Sequence, residues 1–195
     1  LMHDPTLSTT TNVREVFPDG APTLERDDPT ARRNLVADYT LEDIMHLRLR
    51  DREGGDHRVP TLGAALELAE NQILMILDLK IWDNETLVPL LTSRSTANLL
   101  LFTTASESQL KETAEATGIG VYLDLGDFTS VTRAFDRAWD RFGRQLRMIS
   151  VEPDQFNRAL QERCAEHDVR ICIGGFSLDD ALLLRSDERP WERAL

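Results

Sequence analysis

Five short apolar runs, each followed by a helical pattern, constrain the fold of this 195-residue chain more than any other feature. The runs are ILMILDLK, NLLLFTT, GVYLDL, RMISV and VRICIGG. Counted from Ile73, Asn98, Val121, Arg147 and Val169, they recur every 21–28 residues or so. Apolar strands alternating with helices read as a parallel sheet covered by its crossovers. The repeat length is that of one βα unit of a (β/α)8 barrel, with a doubly wound open sheet as the competitor. No glycine-rich phosphate fingerprint follows any of the runs. The expected fold is therefore α/β: a partial TIM-type (β/α)8 barrel of about five sequential parallel βα units, in a single domain over residues 1–195.

The helices are expected at Asn84–Ser95, Ser106–Thr117, Thr129–Phe142, Pro153–His167 and Ser177–Arg185. Ser106 with Gln109 fits a capping box, and Gly118 fits a helix stop. Val131, Phe135, Ala138 and Phe142 make one apolar stripe. TLGAALELAE also carries helical spacing. Upstream, residues 13–59 read as a charged, loop-like insertion without hydrophobic period. One short helix is expected there, capped by Thr40, with Leu41, Ile44, Met45 and Leu47 on its apolar face.

Charge narrows the partners. The formal net charge of −12 argues against binding a nucleic-acid backbone, though a local pocket can still hold a small anion. No apolar run is long enough to span a bilayer. Cys164 and Cys172 are expected as buried free thiols, since two cysteines make no disulfide framework.

Chemistry-bearing residues concentrate at the strand ends. Asp78 and Lys80 stand two apart, on one face of a strand, at its carboxyl end. A salt bridge and a functional acid–base pair are both consistent with that spacing. His3 and Asp4 form an early His-Asp pair. Asp124 and Glu152 also fall at strand ends, Glu152 being expected to cap the helix after Pro153. His46 and His57 lie in the insertion, and His167 sits near a helix C-terminus, where the dipole favours it.

MHDPTLSTTTN, ADYTLEDIMHLRL, VPTLGAALELAE and ILMILDLK, in that order, resemble the glycerophosphodiester phosphodiesterase family, in particular its long-insertion branch. The resemblance covers residues 1–80 by motif, and beyond that mainly by architecture. It implies a phosphoric diester hydrolase that releases glycerol 3-phosphate and an alcohol. It implies a small-molecule glycerophosphodiester substrate and a divalent metal, Mg or Ca. Residue by residue, His3 matches the family's second catalytic histidine and Lys80 its phosphate-contacting lysine. Asp78 stands where the family has a metal-binding glutamate, one methylene longer.

The chain departs from the pattern at STTTN, where the family has Asp-Arg before Thr-Thr, and at Cys172, about where it often has tryptophan. The family's first histidine and two carboxylates, from two strands preceding His-Asp, have no match, nor does its last strand. The resemblance thus implies a barrel segment that is incomplete and inactive by itself. A degenerate relative kept for binding or assembly stays open. So does a sister barrel of the phosphatidylinositol-lipase or sphingomyelinase D kind, made less favoured by the long insertion and the VPTL helix start.

Overall fold

A computed structural model describes residues 5–25, 28–50, 57–126 and 128–174. The chain divides into two compact units, Leu1–Leu68 and Ala69–Leu195.

The first unit holds α1 (Val13–Val16), α2 (Leu41–Met45) and α3 (Leu62–Ala69), the last running to the unit boundary. Residues expected to be loop-like enclose a small core of Leu7, Val13, Ala21, Tyr39 and Leu47. Side-chain hydrogen bonds stand in for regular structure. The Tyr39 hydroxyl donates to Asn34 Oδ1 at 2.5 Å, and Thr11 Oγ1 donates to the Leu7 carbonyl at 2.7 Å. Asn34 sits in the left-handed region, which asparagine tolerates. Gly20, at φ +105°, presses so close to Ala31 that a Cβ would lie 2.7 Å from its backbone, so no larger residue fits.

Thr40 caps α2 as expected, in a reciprocal bond with Asp43. The expected apolar face is only half realised. Leu47 is fully buried and Ile44 packs on the core, but Leu41 and Met45 are exposed. The helix ends at Met45, so Leu47 lies beyond it and the four positions do not share one helical face.

The second unit contains every expected strand: β1 (Met75–Asp78), β2 (Leu99–Phe102), β3 (Gly120–Asp124), β4 (Leu146–Val151) and β5 (Arg170–Ile173). They form one five-stranded parallel sheet in the order β1-β2-β3-β4-β5. Between them lie α4 (Asn84–Thr92), α5 (Glu107–Thr117), α6 (Val131–Phe142) and α7 (Arg158–Glu166). The helix expected at Ser177–Arg185 lies outside the described residues.

Strand order without reversal has a consequence. Right-handed crossovers that always advance one strand place their helices on the same face. Bonds between successive helices agree. Thr113 on α5 donates to Asn84 on α4 at 2.7 Å. Arg141 on α6 pairs with Glu107 on α5 at 2.8 Å, and Arg163 on α7 with Asp136 on α6 at 2.5 Å. Under the helices the alternate residues Leu77, Leu101, Val121, Leu123 and Ile149 are buried. The stripe Val131, Phe135, Ala138 and Phe142 is buried as expected. The other face of β1, at Ile76, is exposed.

Local signals act largely as read. Gly118 ends α5 in the left-handed region, its N–H bonding the Ala114 carbonyl. Ser106 accepts from the Gln109 N–H at 3.3 Å. The Gln109 side chain does not complete the capping box, because it donates instead to the Trp82 carbonyl. The largest difference is α7, which starts at Arg158 rather than Pro153. Asn157 caps it by accepting from the Leu160 N–H, and residues 153–156 are turn and loop. Among the described residues, no helix is long and apolar enough to cross a membrane.

The face assignment is testable by substitution. Leu101→Ala, under the helices, is expected to cost about 2–5 kcal/mol of unfolding free energy. Ile76→Thr, on the opposite face, is expected to cost under about 1 kcal/mol. Urea unfolding of both variants measures the contrast, and equal losses would contradict it.

Candidate functional site

The carboxyl ends of the strands, on the face opposite the helices, collect the polar groups of the second unit. Strand alternation puts Leu77 and Leu79 under the helices, so Asp78 and Lys80 emerge on the other side. Lys80 Nζ lies 2.8 Å from Asp78 Oδ2, and both side chains are about two-fifths exposed. The strand end beneath them is pinned. Leu79 donates to the Phe102 carbonyl at 2.8 Å, and Thr103 donates to the Leu79 carbonyl at 2.6 Å.

Two strands away lies a second polar group. Asp124 pairs with Ser150 across β3 and β4, and Ser150 with Cys172 across β4 and β5. The Asp124 carboxylate accepts from Ser150 Oγ at 2.9 Å and from the Gly126 N–H at 3.0 Å. A methyl group at Gly126 would sit 3.2 Å from Asp124 Oδ1 and 3.8 Å from Glu152 Oε1, so glycine lets the loop pass beside both carboxylates. Gln155 ties the two loops together. It accepts from the Glu152 N–H at 3.1 Å and donates to the Gly126 and Phe128 carbonyls.

Burial is the main reason that the Tyr122 phenol is held above its ordinary pKa. The nearby charges of Asp124 and Cys172 push the same way, and a hydrogen bond with Ser150 opposes them. The Tyr122 ring also packs against Phe102, centroids 5.2 Å apart. Tyr122, Ser150 and Asp124 thus form one connected network.

The sequence candidates divide as follows. Asp78 and Lys80 come together; His3 and Asp4 lie outside the described residues. Glu152 does not cap α7, since the helix begins six residues later behind Asn157. Its carboxylate sits near that of Asp124 instead. His46 closes α2, its Nδ1 lying 2.8 Å from the Glu42 carbonyl. His57 accepts from the Leu49 N–H through its carbonyl. His167 ends α7 as expected, its ring stacked on Trp139 at 4.0 Å. In STTTN, Thr11 and Asn12 bond backbone groups: Thr11 the nearby Leu7 carbonyl, and Asn12, as acceptor, the distant Arg48 N–H at 2.8 Å.

Tyr122, Ser150 and Gln155 were not singled out from sequence. The i, i+2 rule that selects Asp78 and Lys80 also selects Tyr122 with Asp124 and Ser150 with Glu152. Gln155 carried no such signal, because its reach across two loops is tertiary. Among the described residues, no three or more histidine, cysteine, aspartate or glutamate side chains converge to hold a metal.

The cysteines differ from expectation. Cys164 is buried but Cys172, on β5, is exposed. Burial pushes the Cys164 thiol up to about 11. The folded protein keeps that proton where the unfolded chain, near 9, has lost it. Cys164 therefore takes stability away as pH rises from about 9 to about 11. Thiol titration with a chromogenic disulfide at pH 8 should label Cys172 at once and Cys164 only as the protein opens. Rapid labelling of both thiols in the parent, and of the remaining Cys164 in Cys172→Ser, would contradict the burial difference.

No known protein family, curated protein or solved structure matches the chain.

Proposed function

We propose that this chain is part of a phosphoric diester hydrolase resembling the glycerophosphodiester phosphodiesterases, its five strands an arc of a (β/α)8 barrel. One observation carries the reading. The Asp78–Lys80 pair emerges at the carboxyl end of β1, opposite the helices, where the resemblance has Glu-x-Lys. Barrel enzymes do their chemistry at that end of the strands. The unreversed strand order supports the barrel over a doubly wound sheet, whose order reverses at its ligand crevice.

The chemistry follows from the substrate's charge. A phosphodiester is an anion and repels an attacking oxygen. In hydrolysis a new P–O bond forms, the P–O bond to the alcohol breaks, and one proton passes from the attacking to the leaving oxygen. Lys80 offsets the phosphoryl charge, and Asp78 holds the ammonium at the strand end for that contact. Proton transfer falls to His3 on the resemblance. A Mg or Ca ion would supply further charge neutralisation, but such a cation takes six or more oxygens. Asp78 would supply one carboxylate to such an ion, with water and substrate oxygens completing the shell, and no step here runs through it.

Titration of the protein with glycerophosphocholine, followed by amide chemical shifts, tests the role of Lys80. Lys80→Met is expected to weaken binding about tenfold or more, the order of a lost hydrogen bond to a charged group. The melting temperature should barely move, because a half-exposed ion pair is worth under about 1 kcal/mol. Unchanged binding with a clear loss of stability would make the pair a structural salt bridge and overturn the reading.

A further inference from the structure

A cavity lies at the other end of the sheet. It has a volume of about 420 Å³ and is lined by Gly118, Gly120, Arg147, Asp168 and Arg170 among others. Two features place arginines on its lining. The first is a bulge between β3 and β4. Val121 pairs with Leu146 and Tyr122 with Met148, so Arg147 is the extra residue. A bulge re-aims the side chain it carries.

The second feature is Gly120. A Cβ there would lie 2.5 Å from Arg147 Cγ and 3.0 Å from Leu100 Cδ2. Arg147 can therefore cross β3 only because residue 120 has no side chain. Arg170, opening β5, pairs in register with Met148 and so points to the same face as the Met148 side chain. Among the described residues the only acidic side chain lining this cavity is Asp168. Its contact with Arg147 is long, at 3.9 Å, and its side chain is almost wholly exposed. Two cations of fixed charge share a cavity with one loosely held anion, in a chain of net charge −12.

We infer that this cavity is an anion site for a phosphate dianion, either free phosphate or the end group of a small phosphomonoester. Guanidinium forks match phosphate oxygens in pairs and keep their charge at any working pH. The volume suits a small molecule. The site stands apart from Lys80, at the opposite end of the strands, and does not depend on the proposed hydrolase activity.

Amide and arginine side-chain NMR during titration with inorganic phosphate, and separately with glycerol 3-phosphate, tests the inference. Saturable shifts are expected at Gly118, Gly120, Arg147 and Arg170 with at least one titrant, and the tighter titrant names the source. Arg147→Met should weaken binding about tenfold or more. Asp168→Asn should strengthen it several-fold by removing the competing carboxylate. That variant keeps the fold, because residue 168 has φ 56° and asparagine tolerates the left-handed region. Shifts confined to the surroundings of Lys80, no saturable shift at all, or full affinity in Arg147→Met together with no gain in Asp168→Asn would each overturn the site.

Discussion

The second unit depends on burying one face of a parallel sheet beneath helices that all arrive from the same side. Each βα crossover advances by one strand, and with the right-handed connection that parallel strands take as a rule each helix lands beside its predecessor. Leu77, Leu101, Val121 and Ile149 supply the apolar ground, and Phe135 and Leu110 fill it from above. The ion pairs joining α5 to α6 and α6 to α7 lie over this layer; being partly exposed, they orient the helices more than they stabilise them. Once the helices occupy one face, every alternate strand residue is presented to the other.

That division assigns the chemistry. At the carboxyl ends this face holds Asp78, Lys80, Tyr122, Asp124, Ser150 and Glu152, with Asp78 paired to Lys80 and Ser150 donating to Asp124. At the amino ends Arg147 and Arg170 line a cavity. Among the described residues the two ends differ in sign: carboxylates outnumber lysine at one, and guanidiniums outnumber aspartate at the other. A chain with excess acid thus keeps a local cationic pocket, which net charge alone conceals.

The strands and most helices were legible because their signals are local and periodic. Apolar runs, the stripe from Val131 to Phe142 and the Gly118 stop each act within a few residues. The start of α7 was misread because Glu152 and Pro153 imitate a helix entry, while Asn157 forms the real cap. The first unit was opaque for a different reason. Its core joins Leu7, Val13, Ala21, Tyr39 and Leu47 through turns and side-chain bonds such as Tyr39 to Asn34, with no repeating period to detect. The Arg147 bulge depends on how two strands align, which neither strand records alone. The i, i+2 pattern located Asp78 and Lys80, and strand-end position located Asp124 and Glu152, but Tyr122 and Ser150 on the same face were missed.

The common helix face and the grouping of strand-end residues both follow from the unreversed strand order. Interstrand backbone NOEs in the folded protein test it most directly. The account predicts contacts of Leu101 with both Leu77 and Val121, and of Ile149 with both Leu123 and Ile171, following the sequential ladder. Contacts between β1 and β3 would mean a reversed, doubly wound sheet with helices on both faces, and would contradict it.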